Sequence, residues 1–532
     1  MEIIKNLTNK KIVYILIFIG FVLYLNSFGN QMFWDDNDSI LNNTYIQNWE
    51  HLPKYFSENL IAGAGIMSDY WRPTLLLVFS FEWHLWGDWA PGYHFINTSF
   101  HITNAIFLFF ILFYLFKEKW LALFTSLIFL IHPLQTEAVT YVAGLGDSLS
   151  IFFIFLGILF YLKATENRSL YKWSLVMYGL ALMSKETAIV MPGFLFIIDF
   201  VVLRKKFKEI IKSIWPFFAM AGFYILLRST VLNFSNTFNL YNEENLFTSS
   251  ILVRILTFFK ILTIYFQLLF WPVGLHMERS VEIAVSFFSP LVIIGALIFS
   301  GLIIISIVQF KKRPIIAFGI LWFFVGLVLI SNIFIPINGL LYEHWLYVLM
   351  IGIFLPIIWL LFKKEFKFTK YIIIVFTIFS IFLSFLTMSR NREWRNPIVF
   401  YNQTLEHAPN SYKVINNLGM AYNNNKDYKK AEETYLKAIA VDPLIPNAYH
   451  NLANNYKNIN EIKLAIENYK KAIKLSPNFI YSYNALIGLY LKNEQYNEAI
   501  NLLKHYSEIV DPQDQGAKQL ITEIQEIIDS KK

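Results

Sequence analysis

Two adjacent carboxylates, Asp35 and Asp36, follow Phe33-Trp34 just beyond the first apolar span, residues 12–28. That span is about as long as a helix needs to cross a bilayer. A carboxylate pair in this place stands where water meets lipid headgroups. It can act on a substrate whose reactive end is at the surface and whose tail is in lipid, and a lipid-linked sugar has that shape. Side chains at neighbouring positions of an extended chain point to opposite sides, so the two carboxylates divide roles rather than duplicate one. Their charges also repel, so one holds its proton more tightly than a lone aspartate would. Acidic residues are common in exported loops, so the pair alone does not decide the chemistry.

The elements that must position this pair are membrane helices. The chain of 532 residues is 56% hydrophobic and holds 52 phenylalanines, more than a soluble domain carries. The first span is too long for a removed signal peptide and lacks a small-residue cleavage site, so it reads as an anchor. With no cysteine, a disulfide framework and thiolate chemistry are excluded. The net charge of +7 does not point to nucleic acid, because the basic residues lie in short clusters between apolar spans. The clusters are Lys5/Lys10/Lys11, Lys117/Lys119, Lys163/Arg168/Lys172, 204–212, Lys311/Lys312/Arg313 and 363–370. Loops that are acidic or nearly uncharged alternate with them: 29–93, 132–148, 184–187, 228–285 and 332–342. The alternation predicts about eleven crossings, a cytoplasmic N-terminus and an outward aspartate loop. Residues 250–272 are long enough to span but carry Arg254, Thr257, Lys260, Thr263 and Gln267 over one half of the helix, which predicts an amphipathic helix in the outer interface. Arg390, Arg392 and Arg395 run against this topology, which exports them.

Near residue 390 the composition changes. Pro409, Pro443, Pro477 and Pro512 recur at close to the 34-residue period of the tetratricopeptide repeat. Leu418, Gly419, Tyr422, Ala431, Tyr435 and Ala438 mark the first copy, and Leu452, Ala453, Tyr456, Ala465, Tyr469 and Ala472 the second. The third copy is looser, keeping Tyr483, Leu486, Tyr490 and Ala499. Residues 515–530 then read as a helix capping the apolar end of the stack. The expected organisation is a membrane domain over 1–389 with the outer loop 29–93, a linker and partial repeat over 390–410, and three repeats with a cap over 411–532.

Taken in order, a series of short motifs resembles one family nearly end to end. It runs from Trp34-Asp35-Asp36 and Ile40-Leu41-Asn42-Asn43 through Tyr70-Trp71-Arg72-Pro73 and Gly92-Tyr93-His94-Phe95-Ile96-Asn97. It continues with His132-Pro133-Leu134-Gln135-Thr136-Glu137-Ala138-Val139, Gly146-Asp147, Ser184-Lys185-Glu186, Glu343 before Leu346-Tyr347, and Arg390-Asn391-Arg392-Glu393-Trp394. The chain resembles the transmembrane-and-tetratricopeptide-repeat protein O-mannosyltransferases, within the multi-pass (GT-C) glycosyltransferases that use polyprenyl-phosphate sugars. His344 stands where the pattern leads us to expect an arginine, and the repeat array is short for the family.

The resemblance implies transfer of a sugar, mannose, from a polyprenyl phosphate to Ser or Thr hydroxyls of exported protein, with inversion. Such transfer needs a base for the acceptor hydroxyl and positive charge for the departing phosphate. The resemblance puts the base in the first outer loop, at Asp35 or Asp36. Asp35 is the favoured base, with Asp36 positioning the acceptor or a cation. For the phosphate, Arg72 and Lys185 come first, since both sit in family-like motifs and arginine suits a bidentate phosphate contact. Arg228 and His344 are further candidates; Arg254, Lys260 and Arg279 are the other outward cations of the membrane part. His132, Glu137, Asp147 and Glu343 are other site candidates. Each has a plainer reading: snorkelling for Arg72, a solvated loop pair for Lys185, a span cap for His132, a solvated loop residue for Glu137 and a helix start for Asp147. His94 and His101 share a helix face without a carboxylate partner, so no metal site is expected among them. A divalent cation is compatible with the reaction, and no other cofactor is called for.

In the repeats, asparagines cluster on the first helix of each copy. Asn417, Asn451 and Asn484 are the candidates for gripping the backbone of an acceptor peptide, since an amide both donates and accepts. The expectation is therefore an all-α protein, a polytopic helical bundle followed by a tetratricopeptide-repeat solenoid, acting as a membrane glycosyltransferase. A bacterial cytoplasmic membrane is expected, or the endoplasmic reticulum if the source is eukaryotic. Two rivals remain open: transfer of another sugar or an oligosaccharide to a glycan or lipid, and a non-enzymatic scaffold recruiting partners through its repeats. A transporter fits less well, because few charges lie near mid-membrane.

Overall fold

The computed structural model describes residues 6–234, 240–241, 244–279, 281–363 and 369–530. Lys5 and most of the expected basic cluster 363–370 lie outside them. Every regular element among the described residues is helical, and the chain divides into two units, 1–396 and 397–532.

Seven described helices of the first unit are long and apolar enough to cross a membrane: Asn9–Ser27, Ala90–Phe116, Leu145–Lys163, Phe207–Ser229, Ile251–Phe270, Pro290–Lys312 and Tyr371–Glu393. An eighth candidate is the pair Lys119–Ile131 and Pro133–Val139, bent by 57°. The bend has a local cause: Pro133 lacks an N–H and cannot continue the helix through His132. Ser169–Leu182 packs on Leu145–Lys163, and Pro314–Leu327 and Met350–Phe362 are shorter apolar helices. The two shorter helices pack through glycines. A Cβ on Gly319 would stand 2.5 Å from the Gly352 carbonyl oxygen, and one on Gly352 would stand 2.4 Å from that of Gly319. Only residues without a side chain let the two backbones come so close.

The loops sort into two groups that contact one another within each group. At one end meet the aspartate loop, the 132–148 segment, 184–187, 271–279, 343–347 and the end of Tyr371–Glu393. At the other end Lys119 reaches the Leu7 carbonyl at 2.9 Å, Arg204 reaches those of Phe310 and Lys311, and Arg313 and Lys363 flank Trp359. The alternation of charge along the sequence is thus a separation in space.

Helix Ile251–Phe270 differs from the rest. Near its start, Arg254 Nε donates to the Ile333 carbonyl at 3.0 Å. Near its end, the Leu269 carbonyl accepts from His132 Nε2 at 3.0 Å. Both partners belong to the carboxylate end, so this helix lies across the bundle there rather than running through it. Its polar residues are taken up locally: Lys260 reaches the Glu282 carbonyl at 2.8 Å and Thr263 that of Leu291 at 2.7 Å.

The second unit is a stack of paired helices: Tyr412–Asn424 with Tyr428–Val441, Pro446–Asn458 with Ile462–Leu475, and Ile480–Lys492 with Tyr496–Ile509, closed by Gln515–Ser530. Lys426, Asn460 and Glu494 sit in the turn inside each pair with φ between 55° and 64°. They are related by the repeat period, so each copy makes the same left-handed turn. Gly419 lets Tyr435 approach, since a Cβ there would stand 2.5 Å from the ring. The expected linker 390–410 is not one segment. Residues 390–393 finish the last helix of the first unit, and Pro397–His407 is a helix of the second that packs on Tyr412–Asn424.

Candidate functional site

The backbone at Trp34 separates the two aspartates. Trp34 has φ +62°, a left-handed conformation that costs a bulky residue of order 1–3 kcal/mol and persists only where the surroundings hold it. After this kink Asp35 faces solvent and Asp36 is buried. Asp36 Oδ2 accepts from the Phe33 N–H at 3.0 Å, and its Oδ1 accepts from the Ala143 N–H at 2.7 Å. Both oxygens are therefore occupied by backbone donors, one in its own loop and one 107 residues on. Asp36 fastens the loop to the 140–144 turn; the expected role of holding acceptor or cation does not fit this geometry. Burial pushes its carboxyl up to about 8, against those two N–H donors and with the nearby Asp35 charge.

Asp35 is held differently. Its backbone N–H donates to the Tyr141 hydroxyl at 3.1 Å, and that hydroxyl lowers the pKa of the Asp35 carboxyl. Tyr141 is itself fixed by stacking on Trp394, with ring centroids 5.1 Å apart and planes 25° apart. The protein crowded around Asp35 raises its pKa, Tyr141 lowers it, Asp38 raises it and Arg72 lowers it, with a net rise. A carboxylate with a raised pKa is a stronger base once ionised.

Arg72 lies within electrostatic reach of Asp35. It holds Glu186 side-on, Nε to Oε2 at 3.1 Å and Nη2 to Oε1 at 2.8 Å, and rests over the Tyr70 ring at 4.4 Å. This pair leaves Nη1 without a hydrogen bond among the described residues. Nη1 is directed toward Gly146, 3.7 Å from where a Cβ would stand. Burial opposes the Glu186 charge, but Arg72 outweighs it and holds that carboxyl down to about 2. Lys185 pairs with Asp147 at 2.7 Å. Arg72, Lys185, Asp147 and Asp35 are thus brought together, with Glu186 among them.

The remaining candidates form a second group. Glu137 takes both donors of His344, its backbone N–H at 2.9 Å and Nδ1 at 2.7 Å. Glu343 Oε1 accepts from Arg279 at 3.0 Å and from the His276 N–H at 2.7 Å. Arg390 lies 3.9 Å from the other oxygen of Glu343 and pairs closely with Glu393. This explains one of the three arginines that run against the topology: Arg390 is a buried partner of two carboxylates, whereas Arg392 and Arg395 are exposed. Two candidates stand apart from the chemistry. His132 is fully buried, accepting at Nδ1 from the Leu134 N–H at 3.2 Å and donating from Nε2 to Leu269, so it caps the helix break. Arg228 is buried and gives Nη2 to the Asp69 carbonyl, fastening the outer loop.

A cleft joins the two groups. Asp147 and Thr187 line it on one side and His344 on the other, with Ile151, Val190 and Leu329 among its apolar walls. Tyr141 and Arg390 are the participants that were not singled out for the site; Arg279, among the outward cations considered for the phosphate, pairs with Glu343. For Arg390, the signal was the Arg390-Asn391-Arg392-Glu393-Trp394 motif; nothing marked Tyr141.

In the repeats, several asparagines bond one another across copies. Asn451 Nδ2 donates to Asn416 Oδ1 at 3.0 Å, and Asn458 Nδ2 to Asn423 Oδ1 at 3.0 Å. Asn451 is thus a staple between copies, whereas Asn484 is exposed and Asn417 half-buried.

Comparison with known proteins follows this architecture. Residues 84–234 match the family described as dolichyl-phosphate-mannose-protein mannosyltransferase, and 412–443 and 446–479 match the tetratricopeptide repeat. The chain is 25% identical over 440 residues to the protein O-mannosyl-transferase F38B6.6 of Caenorhabditis elegans, covering 81% of this chain and 62% of that one. The chain is thus similar to the transmembrane-and-tetratricopeptide-repeat O-mannosyltransferases. Two further relatives, the protein O-mannosyl-transferases TMTC3 of Mus musculus and Homo sapiens, are 23% and 24% identical over 82% of this chain. The chain spans 62%, 51% and 52% of the lengths of these relatives, less than two thirds of each. The matched mannosyltransferase region begins at residue 84, beyond Asp35 and Arg72, so the roles of those two residues rest on their geometry. Among solved structures, one described as the crystal structure of MamA protein is 26% identical, covering 24% of this chain and 70% of its own, with a TM-score of 0.22; no fold statement follows from such a score.

Proposed function

We propose that this chain transfers mannose from a polyprenyl phosphate to Ser or Thr hydroxyls of exported protein, at the outer face of its membrane. The observation that carries the reading is the split pair: Asp35 presented to solvent with its pKa raised, beside Asp36 fixed by two backbone donors. Asp35 takes the proton of the acceptor hydroxyl. The hydroxyl oxygen bonds to the anomeric carbon of mannose as the bond from that carbon to the phosphate oxygen breaks, and the phosphate leaves with the electron pair. Attack from the face opposite the phosphate inverts the anomeric carbon. The free Nη1 edge of Arg72 stabilises the charge gathering on the phosphate. Asp36 keeps Asp35 in place and does no bond chemistry. The names of the relatives support mannose and a protein acceptor, and the repeats suit an extended polypeptide.

The test uses the full chain in membranes with radiolabelled polyprenyl-phosphate mannose, unlabelled competitor sugars and a Ser/Thr-rich protein acceptor. Label should appear on the acceptor, stable to lipid extraction and released as mannose. Label on a glycan or lipid alone would favour the rival transferase, and no transfer from any polyprenyl donor would favour the scaffold.

A further inference from the structure

At the end of the bundle remote from the aspartates, two basic loops about a hundred residues apart meet. Arg204 has φ +54° and sends Nη2 to the carbonyls of Phe310 and Lys311 at 3.1 and 3.3 Å. Those are among the last carbonyls of Pro290–Lys312, the negative end of a helix dipole, so the guanidinium is well placed there. Beside it lies a wide-open surface groove of about 440 Å³. Ile307, Val308 and Leu321 form its apolar wall, and Lys311 and Lys312 its rim. Ile307 and Val308 are 70% and 54% exposed on a helix long enough to span, so they face lipid. Lys311 and Lys312 are exposed and enter no ion pair among the described residues, unlike Lys205 nearby, which meets Asp199 at 2.8 Å. Trp359, with Arg313 at 5.9 Å and Lys363 at 5.3 Å from its ring, marks the same interfacial level.

We propose that this groove binds an anionic phospholipid, with the headgroup phosphate on Lys311 and Lys312 and one acyl chain along Ile307, Val308 and Leu321. The shape separates lipid from free anion, because only a molecule with a chain fills the apolar wall. The charge separates lipids from one another. A zwitterionic headgroup brings its own cation against the lysine rim, whereas a net negative one does not. The site depends only on the helices lying in a membrane and not on the transfer reaction at the other end.

The test is native mass spectrometry of the full chain in detergent with equal amounts of phosphatidylglycerol and phosphatidylcholine. Wild type should retain phosphatidylglycerol preferentially. Lys311→Ala/Lys312→Ala should weaken that retention roughly thirtyfold, about the effect of two basic residues at a membrane surface, and leave phosphatidylcholine unchanged. Lys311→Gln/Lys312→Gln, which keeps the stems, should behave alike and guards against a misfolded first variant. Val308→Trp, which fills the groove with the charges intact, should lower retention of phosphatidylglycerol. The control Lys163→Ala/Lys172→Ala, with two charges removed elsewhere at this end, should change nothing. Equal retention of the two lipids by wild type would overturn the proposal. So would an equal loss in the control, which would mean a diffuse field rather than a site.

Discussion

The Tyr141 hydroxyl lies 3.1 Å from the backbone nitrogen of Asp35, and the same phenol ring stacks on Trp394. Three stretches far apart in sequence thereby position one carboxylate. The hydroxyl also lowers the pKa of Asp35, opposing the larger rise from the protein crowded around this solvent-facing carboxyl.

Tyr141→Phe keeps the stack and deletes only the hydroxyl. Without it the pKa of Asp35 rises further, so at a given pH less of the base is ionised. The acid limb of the pH profile of kcat/KM should move to higher pH, with the alkaline side unaffected. A profile unchanged in shape, merely scaled down, would mean that Tyr141 does not tune the base.

Asp36→Asn should act through stability. An amide offers one acceptor to two N–H donors, so one of the bonds to Phe33 or Ala143 is lost. Leaving a buried donor unmet costs about 1–3 kcal/mol, seen as a lower melting temperature. Because burial raises the Asp36 pKa to about 8, the folded state favours the protonated acid. Its contribution to stability is full below the unfolded carboxylate pKa of about 4 and declines as pH rises toward 8. The Asn variant should lack that decline.

Arg72 and Glu186 give the opposite sign. Glu186 is held down to about 2, so the stability it contributes is present above its unfolded pKa, roughly 4.3, and lost as pH falls toward 2. The melting difference between wild type and Glu186→Gln should be constant above that range and shrink below it. Arg72→Lys loses the fork, and transfer should fall on the order of 10²-fold; wild-type transfer at limiting donor would remove Arg72 from the phosphate.

The repeats separate a staple from a grip. Asn451→Ala breaks the bond to Asn416 and should destabilise the repeat unit by about 1 kcal/mol. Asn484→Ala, at an exposed position, should leave the melting temperature alone and lower transfer to protein acceptors more than to short peptides. Equal loss on both acceptors would assign the asparagines a structural role only.

The sequence carried much of this fold because apolar spans, basic clusters and the proline period each report one-dimensional patterns. Asp35, Arg72, Lys185, Asp147, Glu137 and Glu343 were legible because they stand in recognisable motifs. Their partners were not. Nothing in the spacing of Lys185 and Asp147, or of His344 and Glu137, says that they pair, since such contacts arise from helix packing. For His132 the plainer reading, a cap at the end of a span, is the one the geometry bears out. The different settings of the two aspartates are not legible in sequence, because the kink at Trp34 that sends one out and one in is a backbone property set by Phe33, Ala143 and Tyr141 together.

The central claim is that Asp35 is the base. Asp35→Asn keeps the size and most hydrogen bonding of the side chain and removes its basicity. The decisive measurement is transfer of labelled mannose from polyprenyl phosphate in membranes carrying equal, folded amounts of wild type and Asp35→Asn at saturating donor. A base of this kind contributes about 10²–10⁴-fold, so the rate should fall by that factor while donor binding and melting temperature stay near wild type. Retention of the wild-type rate by Asp35→Asn would contradict the account.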